Sequence, residues 1–211
     1  MKSIIIANGT LTPCRKILSE LKQADLIIAA DGGAGHLNQM KILPHVIIGD
    51  LDSIDPATLD FYRKKKIPII THPPRKDQTD TELCIDYALE KKSDEIVFLG
   101  VVGHRLDHTL ANIFLLRKMA DLGIPARIMD AHNEIYLVLS DLTLYGSPQD
   151  LFSIIPISDK VTGMTLSGLE YPLTDKTLYM GTALGVSNWF TGTKASVHID
   201  SGAVLVTRSQ E

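Results

Sequence analysis

EIVFLGVVGHRLDHTLANIFLLRKMADLGIPARIMD, residues 95–130, decides the fold class. Glu95–Leu99 is a short apolar run, as a strand covered on both faces would be. A helix-length segment follows over 106–122, and Gly123 with Pro125 stops it. Ala126–Asp130 is again a short run with strand character. Upstream the same alternation repeats. Apolar runs at Ser3–Ala7, Asp25–Ala30, His45–Ile48 and Ile67–Thr71 are separated by predicted helices over 13–23, 34–41, 56–65 and 79–92. Thr79 and Glu82 form a capping box at the start of the fourth helix. This alternation predicts a doubly wound, mostly parallel α/β sheet with right-handed crossovers.

The pattern changes after Asp130. Short, often alternating runs fall at 134–139, 142–145, 151–157, 161–167, 169–173, 176–180, 184–190, 195–200 and 202–207, punctuated by turn formers. Asp200-Ser201-Gly202 predicts a hairpin turn. The expected organisation is an α/β domain over 1–130 and a β-sandwich or β-roll over 131–211. Charge divides at the same place. Residues 1–130 carry 17 acids and 17 bases, whereas 131–211 carry 8 acids and 4 bases, so the whole net charge of −4 lies in the second part.

That charge gives no basic footprint for nucleic acid. A 45% hydrophobic content excludes disorder as the main state. The two cysteines, Cys14 and Cys84, stand far apart and suit neither a disulfide scaffold nor a zinc site. No stretch has the ~20 apolar residues of a membrane span, so the expected setting is the cytoplasm.

In a doubly wound sheet, ligands bind beyond the carboxyl ends of the strands. Four consecutive ends carry acids here: Asp31 before Gly32-Gly33; Asp50 and Asp52; Asp77 and Asp80; and Asp107. A single Asp at a turn is ordinarily a cap, but a rim of them repels itself unless cations neutralise it. Carboxylate oxygens favour Mg²⁺ or Ca²⁺ over zinc. Asp50 and Asp52, two residues apart, share a side if the segment is extended. Gly32-Gly33 lets backbone N–H groups approach an anion. Arg105 suits bidentate phosphate contact or a surface ion pair, and Lys76 faces a phosphate or solvent. His108 and Asn112 lie one helical turn apart. There is no Walker A motif and no GxGxxG, so neither of those nucleotide routes applies. Acids for a metal with Gly and Arg for phosphates point to a nucleotide-phosphate reaction.

DGGAGHL at 31–37, IIGDLDSI at 47–54, KDQTDTELCIDYAL at 76–89 and GVVGHRLDHTLANI at 100–113 closely resemble thiamine pyrophosphokinase. The likeness continues through FSIIPIS at 152–158, VTGMTLSGLEYPL at 161–173 and GVSN at 185–188. The resemblance implies an N-terminal α/β domain that binds ATP and Mg²⁺, a C-terminal thiamine-binding β-sandwich, and a homodimer with shared active sites. It implies transfer of the pyrophosphoryl group of ATP to the hydroxyethyl group of thiamine, giving thiamine diphosphate and AMP. By motif position, Asp50, Asp52, Asp77 and Asp80 match the metal and catalytic acids. Asp31, Gly32, Lys76, Arg105, Asp107 and His108 match the ATP side. Ser187, Asn188 and Trp189 match or adjoin the thiamine side. Asp77 or Asp80 is the candidate proton acceptor. Trp189, the single tryptophan, either stacks on the thiazolium cation or belongs to the sandwich core. Two positions depart from the usual pattern: Gly35 stands for Asn, and His104 for Gly. Competing readings are a pyrophosphokinase for another small alcohol such as a hydroxymethylpterin, a non-catalytic nucleotide or thiamine sensor, and a metal-dependent phosphohydrolase. The net negative second part would favour a cationic vitamin.

Overall fold

The structure, a computed structural model, describes residues 1–210. The chain divides into two compact units, Met1–Ala131 and His132 onward.

The first unit alternates strand and helix: β1 (Lys2–Ile6), α1 (Arg15–Lys22), β2 (Leu26–Ala30), α2 (Gly33–Gln39), β3 (Val46–Gly49), α3 (Pro56–Lys64), β4 (Ile69–Thr71), α4 (Asp80–Glu90), β5 (Glu95–Leu99), α5 (Leu106–Asp121) and β6 (Ala126–Met129). These six strands run in the order β6-β5-β1-β2-β3-β4, every neighbouring pair parallel. The predicted α/β sheet is therefore present. β1 to β4 step outward in one direction. The chain then returns, lays β5 against the other side of β1, and continues to β6. The order reverses between β1 and β5, which is the topological switch point where such sheets bind ligands.

Isoleucine side chains alternate between the faces of this sheet. Ile4 and Ile6 of β1, Ile27 of β2 and Ile47 of β3 pack with Ile17 and Leu21 of α1, Leu37 of α2 and Tyr62 of α3. Ile5, Ile28 and Ile48 face the other way, the side on which α4 lies against β1, β2 and β3. Each fully buried Ile contributes roughly 1.5–3 kcal/mol relative to exposure. The Tyr62 hydroxyl, wholly buried, donates to the Ala34 carbonyl at 3.0 Å and ties α3 to α2. Burial pushes its pKa up to about 12. Helix ends follow the sequence signals. Asp55 caps α3 by accepting from the Thr58 N–H, Pro56 opens that helix, and the Thr79–Glu82 capping box starts α4.

The second unit contains β7 (Asn133–Val138), β8 (Asp141–Tyr145), β9 (Leu151–Pro156), β10 (Lys160–Ser167), β11 (Leu173–Tyr179), β12 (Asn188–Trp189), β13 (Lys194–His198) and β14 (Val204–Ser209). They form two antiparallel layers, β12-β9-β14-β7 and β11-β10-β13-β8. Phe152, Ile154, Val204 and Val206 of one layer meet Val161, Met164, Leu166 and Val197 of the other in a shared apolar core. That is the expected β-sandwich.

Three local expectations change. Asp200-Ser201-Gly202 makes no hairpin. β13 pairs with β10 and β8, while β14 pairs with β7 and β9, so this turn carries the chain from one layer to the other. Gly202, at φ +97°, passes so near Lys160 that a Cβ would lie 2.7 Å from its carbonyl oxygen. The run at 169–173 contributes only a bridge from Leu169 to Phe190 before β11 begins at Leu173. Of 184–190, only Asn188–Trp189 is strand. Among the described residues, no helix is long and apolar enough to cross a membrane.

Candidate active site

The carboxyl ends of the strands in the first unit surround a cleft of about 590 Å³, within the range of small-molecule sites. Asp31, Asp50, Lys76, Asp80, Arg105 and His108 line it. Asp31 follows β2 in the left-handed region at φ +44°, a conformation that Asp tolerates better than most residues. Its backbone N–H donates to the Ile48 carbonyl at 2.9 Å, which joins the ends of β2 and β3. Gly49 permits that approach, since a Cβ there would come within 2.8 Å of the Asp31 Cβ.

The GDLDS segment is a turn and not the extended stretch expected. Leu51 takes φ +67°, and the Asp52 N–H folds back to Asp50 Oδ1 at 3.2 Å. Asp50 and Asp52 still reach one side, and Asp31 joins them. One carboxylate oxygen from each of the three lies within 4.8 Å of the other two. Asp31 is 5% exposed. Its Oδ2 accepts the Ser53 N–H at 3.1 Å, while its buried Oδ1 has no hydrogen-bond partner. Burial raises its pKa against the lowering effect of the Ser53 hydrogen bonds, and the charge of Asp80 adds to the rise.

Lys76 stands between the acids, 2.9 Å from Asp80 and 3.7 Å from Asp50. Partial burial works against its charge. The hydrogen bond to Asp80 and the negative charges of Asp80, Asp50 and Asp31 outweigh that and hold its pKa above the ordinary value. Asp77 is exposed, and the residues lining the cleft do not include it. The loop ahead of α4 thus brings Lys76 and Asp80 to the cleft wall, while Asp77, like Asp52, is exposed and not part of that lining.

Gly32 and Gly33 are both buried, and their smallness serves packing. A Cβ at Gly33 would sit 2.0 Å from the Ile6 carbonyl oxygen, and one at Gly32 would strike the Asn8 side chain at 2.4 Å. A Cβ at Gly35 meets nothing within 4 Å, so its departure from the usual Asn carries no steric demand. His104, the other departure, lines the cleft and is exposed.

Also lining the cleft, Arg105 precedes α5 and pairs with Asp107 through Nη2–Oδ2 at 2.6 Å and Nε–Oδ1 at 3.3 Å. The hydrogen bonds from Arg105 hold the Asp107 pKa down to about 2 and raise that of Arg105. His108 is exposed toward the cleft, and Asn112 donates to the Val101 carbonyl at 2.9 Å.

In the second unit the three predicted thiamine-side residues play different parts. The Asn188 amide is occupied internally. Its Oδ1 accepts the N–H of Tyr171 and of Trp189, both at 3.0 Å, and its Nδ2 donates to the Tyr171 carbonyl at 2.8 Å. Ser187 is exposed at φ +58°, its N–H donating to Ser153 Oγ at 3.0 Å. Trp189 is partly buried but lies outside the apolar core. Its ring meets exposed Tyr171 edge-on, 5.2 Å between centroids. Asn188 thus fixes the backbone on which an aromatic pair stands.

Two family models match the chain. The one described as "Thiamin pyrophosphokinase, catalytic domain" covers residues 17–128, and "Thiamin pyrophosphokinase, vitamin B1 binding domain" covers 142–204. Thiamine pyrophosphokinase of Bacillus subtilis is 31% identical, with all of both chains aligned. A crystal structure of the enzyme of that name from B. subtilis superposes with a TM-score of 0.91 at 30% identity over the whole of each chain. Thiamin pyrophosphokinase from Geobacillus thermodenitrificans superposes at 0.87 with 28% identity, covering 100% of this chain and 98% of that one. With an acid-lined cleft at a parallel sheet's switch point, a β-sandwich after it, and likeness over the full length, the chain belongs to the thiamine pyrophosphokinase family.

Proposed function

We propose that the chain transfers the β,γ-pyrophosphoryl group of ATP to the hydroxyethyl oxygen of thiamine in the cleft of its first unit, giving thiamine diphosphate and AMP. That it is an enzyme of the thiamine diphosphokinase class follows from the family membership; the residue roles below are our reading. The observation that carries them is the buried, unpartnered Oδ1 of Asp31, whose carboxylate lies with those of Asp50 and Asp52 at a cleft of nucleotide size.

An all-oxygen donor set with one orphaned carboxylate oxygen fits Mg²⁺. Asp31, Asp50 and Asp52 would hold the ion, with Asp80 next to them. Bound there, it supplies positive charge to phosphate oxygens. Lys76 places a second cation at the same wall, steadied by Asp80 and Asp50. Phosphoryl transfer depends on this kind of positioning and neutralisation more than on covalent chemistry. Arg105 exchanges Asp107 for a phosphate, which is feasible because both groups are largely exposed and surface ion pairs contribute little. Asp80, inside the cleft, takes the hydroxyl proton in preference to exposed Asp77. Trp189 and Tyr171 offer aromatic faces to the thiazolium cation.

The same proposal includes the homodimer with shared active sites. Leu106, Leu110 and Phe114 recur every four residues along α5 and are 71%, 54% and 53% exposed, an apolar stripe suited to a second copy. Two free cysteines, one of them buried, suit a reducing cytoplasm. The deciding experiment measures AMP formation with Mg·ATP and a panel of alcohols. AMP that appears only with thiamine supports the reading. AMP without any acceptor would mean hydrolysis, and preference for a hydroxymethylpterin would move the substrate.

A further inference from the structure

We propose that Asn8 is a nucleotide-binding residue of the cleft, and that His36 is the positioning residue that presents it. The inference rests on the reading of this cleft as the ATP site.

Asn8 lies just past the carboxyl end of β1, the strand beside which the sheet order reverses. Ligands bind at that crevice in open parallel sheets. Asn8 and Gly9 line the cleft together with Gly100, Val101 and Gly103, which follow β5 on the other side of the switch point. The backbone of this turn is fixed. The Gly9 N–H donates to the Gly100 carbonyl at 2.6 Å, and the Thr10 N–H to the Val102 carbonyl at 2.7 Å. A Cβ on Gly9 would collide with both acceptors, at 2.4 and 2.6 Å. The third restraint comes from α2. His36 Nε2 lies 2.8 Å from the Gly9 carbonyl. A carbonyl only accepts, so Nε2 carries the proton.

Three hydrogen bonds thus hold this turn, yet the Asn8 side chain beside them has no hydrogen-bond partner among the described residues and is exposed at the cleft. A residue in a rigid turn with a free amide is pre-organised for a ligand. Gly32 keeps its place open, since any side chain there would displace Asn8. The neutral amide stands close to the acid cluster, and its Nδ2–H groups donate to oxygens of the nucleotide without adding charge.

The test compares Asn8→Ala, Asn8→Asp, His36→Phe and His36→Gln by steady-state kinetics, with direct calorimetric titration of Mg·ATP. Loss of one hydrogen bond from Asn8→Ala raises KM for ATP roughly tenfold and leaves KM for thiamine within about twofold. Asn8→Asp raises it further. His36→Phe shifts KM for ATP in the same direction with kcat nearly constant, and His36→Gln, which keeps a donor, recovers most of the loss. Melting temperatures identify a variant that fails to fold; if His36→Phe does, Asn8→Ala and His36→Gln carry the test. An unchanged KM for ATP in Asn8→Ala, or a shift confined to thiamine, overturns the proposal while the function stands. Wild-type protein that binds Mg·ATP but transfers nothing to thiamine overturns the function, and the calorimetry still decides the role of Asn8.

Discussion

Asp31→Asn separates charge from shape at the centre of the acid cluster. Asn keeps an oxygen for the Ser53 N–H and tolerates the left-handed backbone at φ +44°. What it removes is one negative charge. Two carboxylates 4.8 Å apart repel by about 3.5 kcal/mol at an effective dielectric of ~20. The Asp31–Asp50 pair stays below that figure because Lys76 stands between the acids, 3.7 Å from Asp50, and exposed Asp52 adds less. The substitution therefore raises metal-free stability by about 1–2 kcal/mol, or roughly 2–8 °C in Tm for a chain of this size. It also lessens the rise in Tm that Mg²⁺ gives the wild type, because one carboxylate and its share of the repulsion are gone while Asp50 and Asp52 remain. Turnover falls by at least about a hundredfold, since a metal site contributes several kcal/mol to the transition state. Thermal melts with EDTA and with Mg²⁺, alongside AMP release, provide all three readouts. A lower metal-free Tm, or equal stabilisation of both proteins by Mg²⁺, would refute the assignment of Asp31 to the ion.

Other outcomes follow from local geometry. Gly33→Ala forces a methyl to within 2.0 Å of a strand carbonyl and destabilises by about 2 kcal/mol or more; Gly35→Ala, with open space around it, stabilises by up to about 1 kcal/mol, and denaturant melts of the pair check both signs. Thiamine quenches the fluorescence of Trp189, and Tyr171→Ala raises KM for thiamine about tenfold if the cation is desolvated against an outer face of this ring pair; absence of quenching at saturation would remove Trp189 from the site. His198 lies between Asp141 at 2.8 Å and Asp200 at 3.2 Å, and hydrogen bonds to these two hold its pKa above the ordinary value. A raised histidine stabilises most below the unfolded pKa of about 6.5 and loses that contribution as pH rises through the folded value. The Tm deficit of His198→Gln is accordingly larger near pH ~5.5 than near pH ~8.5.

The α/β unit was legible because its signals are local: short apolar runs, capping residues, and a Gly-Pro stop after α5. The sandwich was legible as a class but not strand by strand. Gly202 carries the same turn signal whether the chain makes a hairpin or changes layer, and only the pairing of β13 and β14 with different partners separates the two. The site shows the same limit. The rim of charge legible in the sequence comprises Asp31, Asp50, Asp52, Asp77, Asp80 and Asp107, and the fold brings one oxygen each of Asp31, Asp50 and Asp52 within 4.8 Å of one another while Asp77 stays exposed. Asp31 belongs to that rim, and the family resemblance assigns it to the ATP side by its match to the first glycine motif. What brings it beside Asp50 and Asp52 is tertiary: its N–H bond to Ile48 and the close pass of Gly49 draw the ends of β2 and β3 together.

The sequence pattern does not mark Asn8, for a related reason. It is neutral, so a search for charge skips it, and its importance depends on β1 lying next to β5. Nearly a hundred residues separate Lys2 from its register partner Glu95, and no local pattern encodes that pairing. The crossover that places β5 against β1 creates the crevice, and the glycines at 9 and 100 let the two strand ends close on each other at backbone distance. The acids therefore identify the chemistry, whereas the strand order determines where the nucleotide can lie. A neutral residue at the reversal point has as strong a claim to contact it as a charged one on the rim.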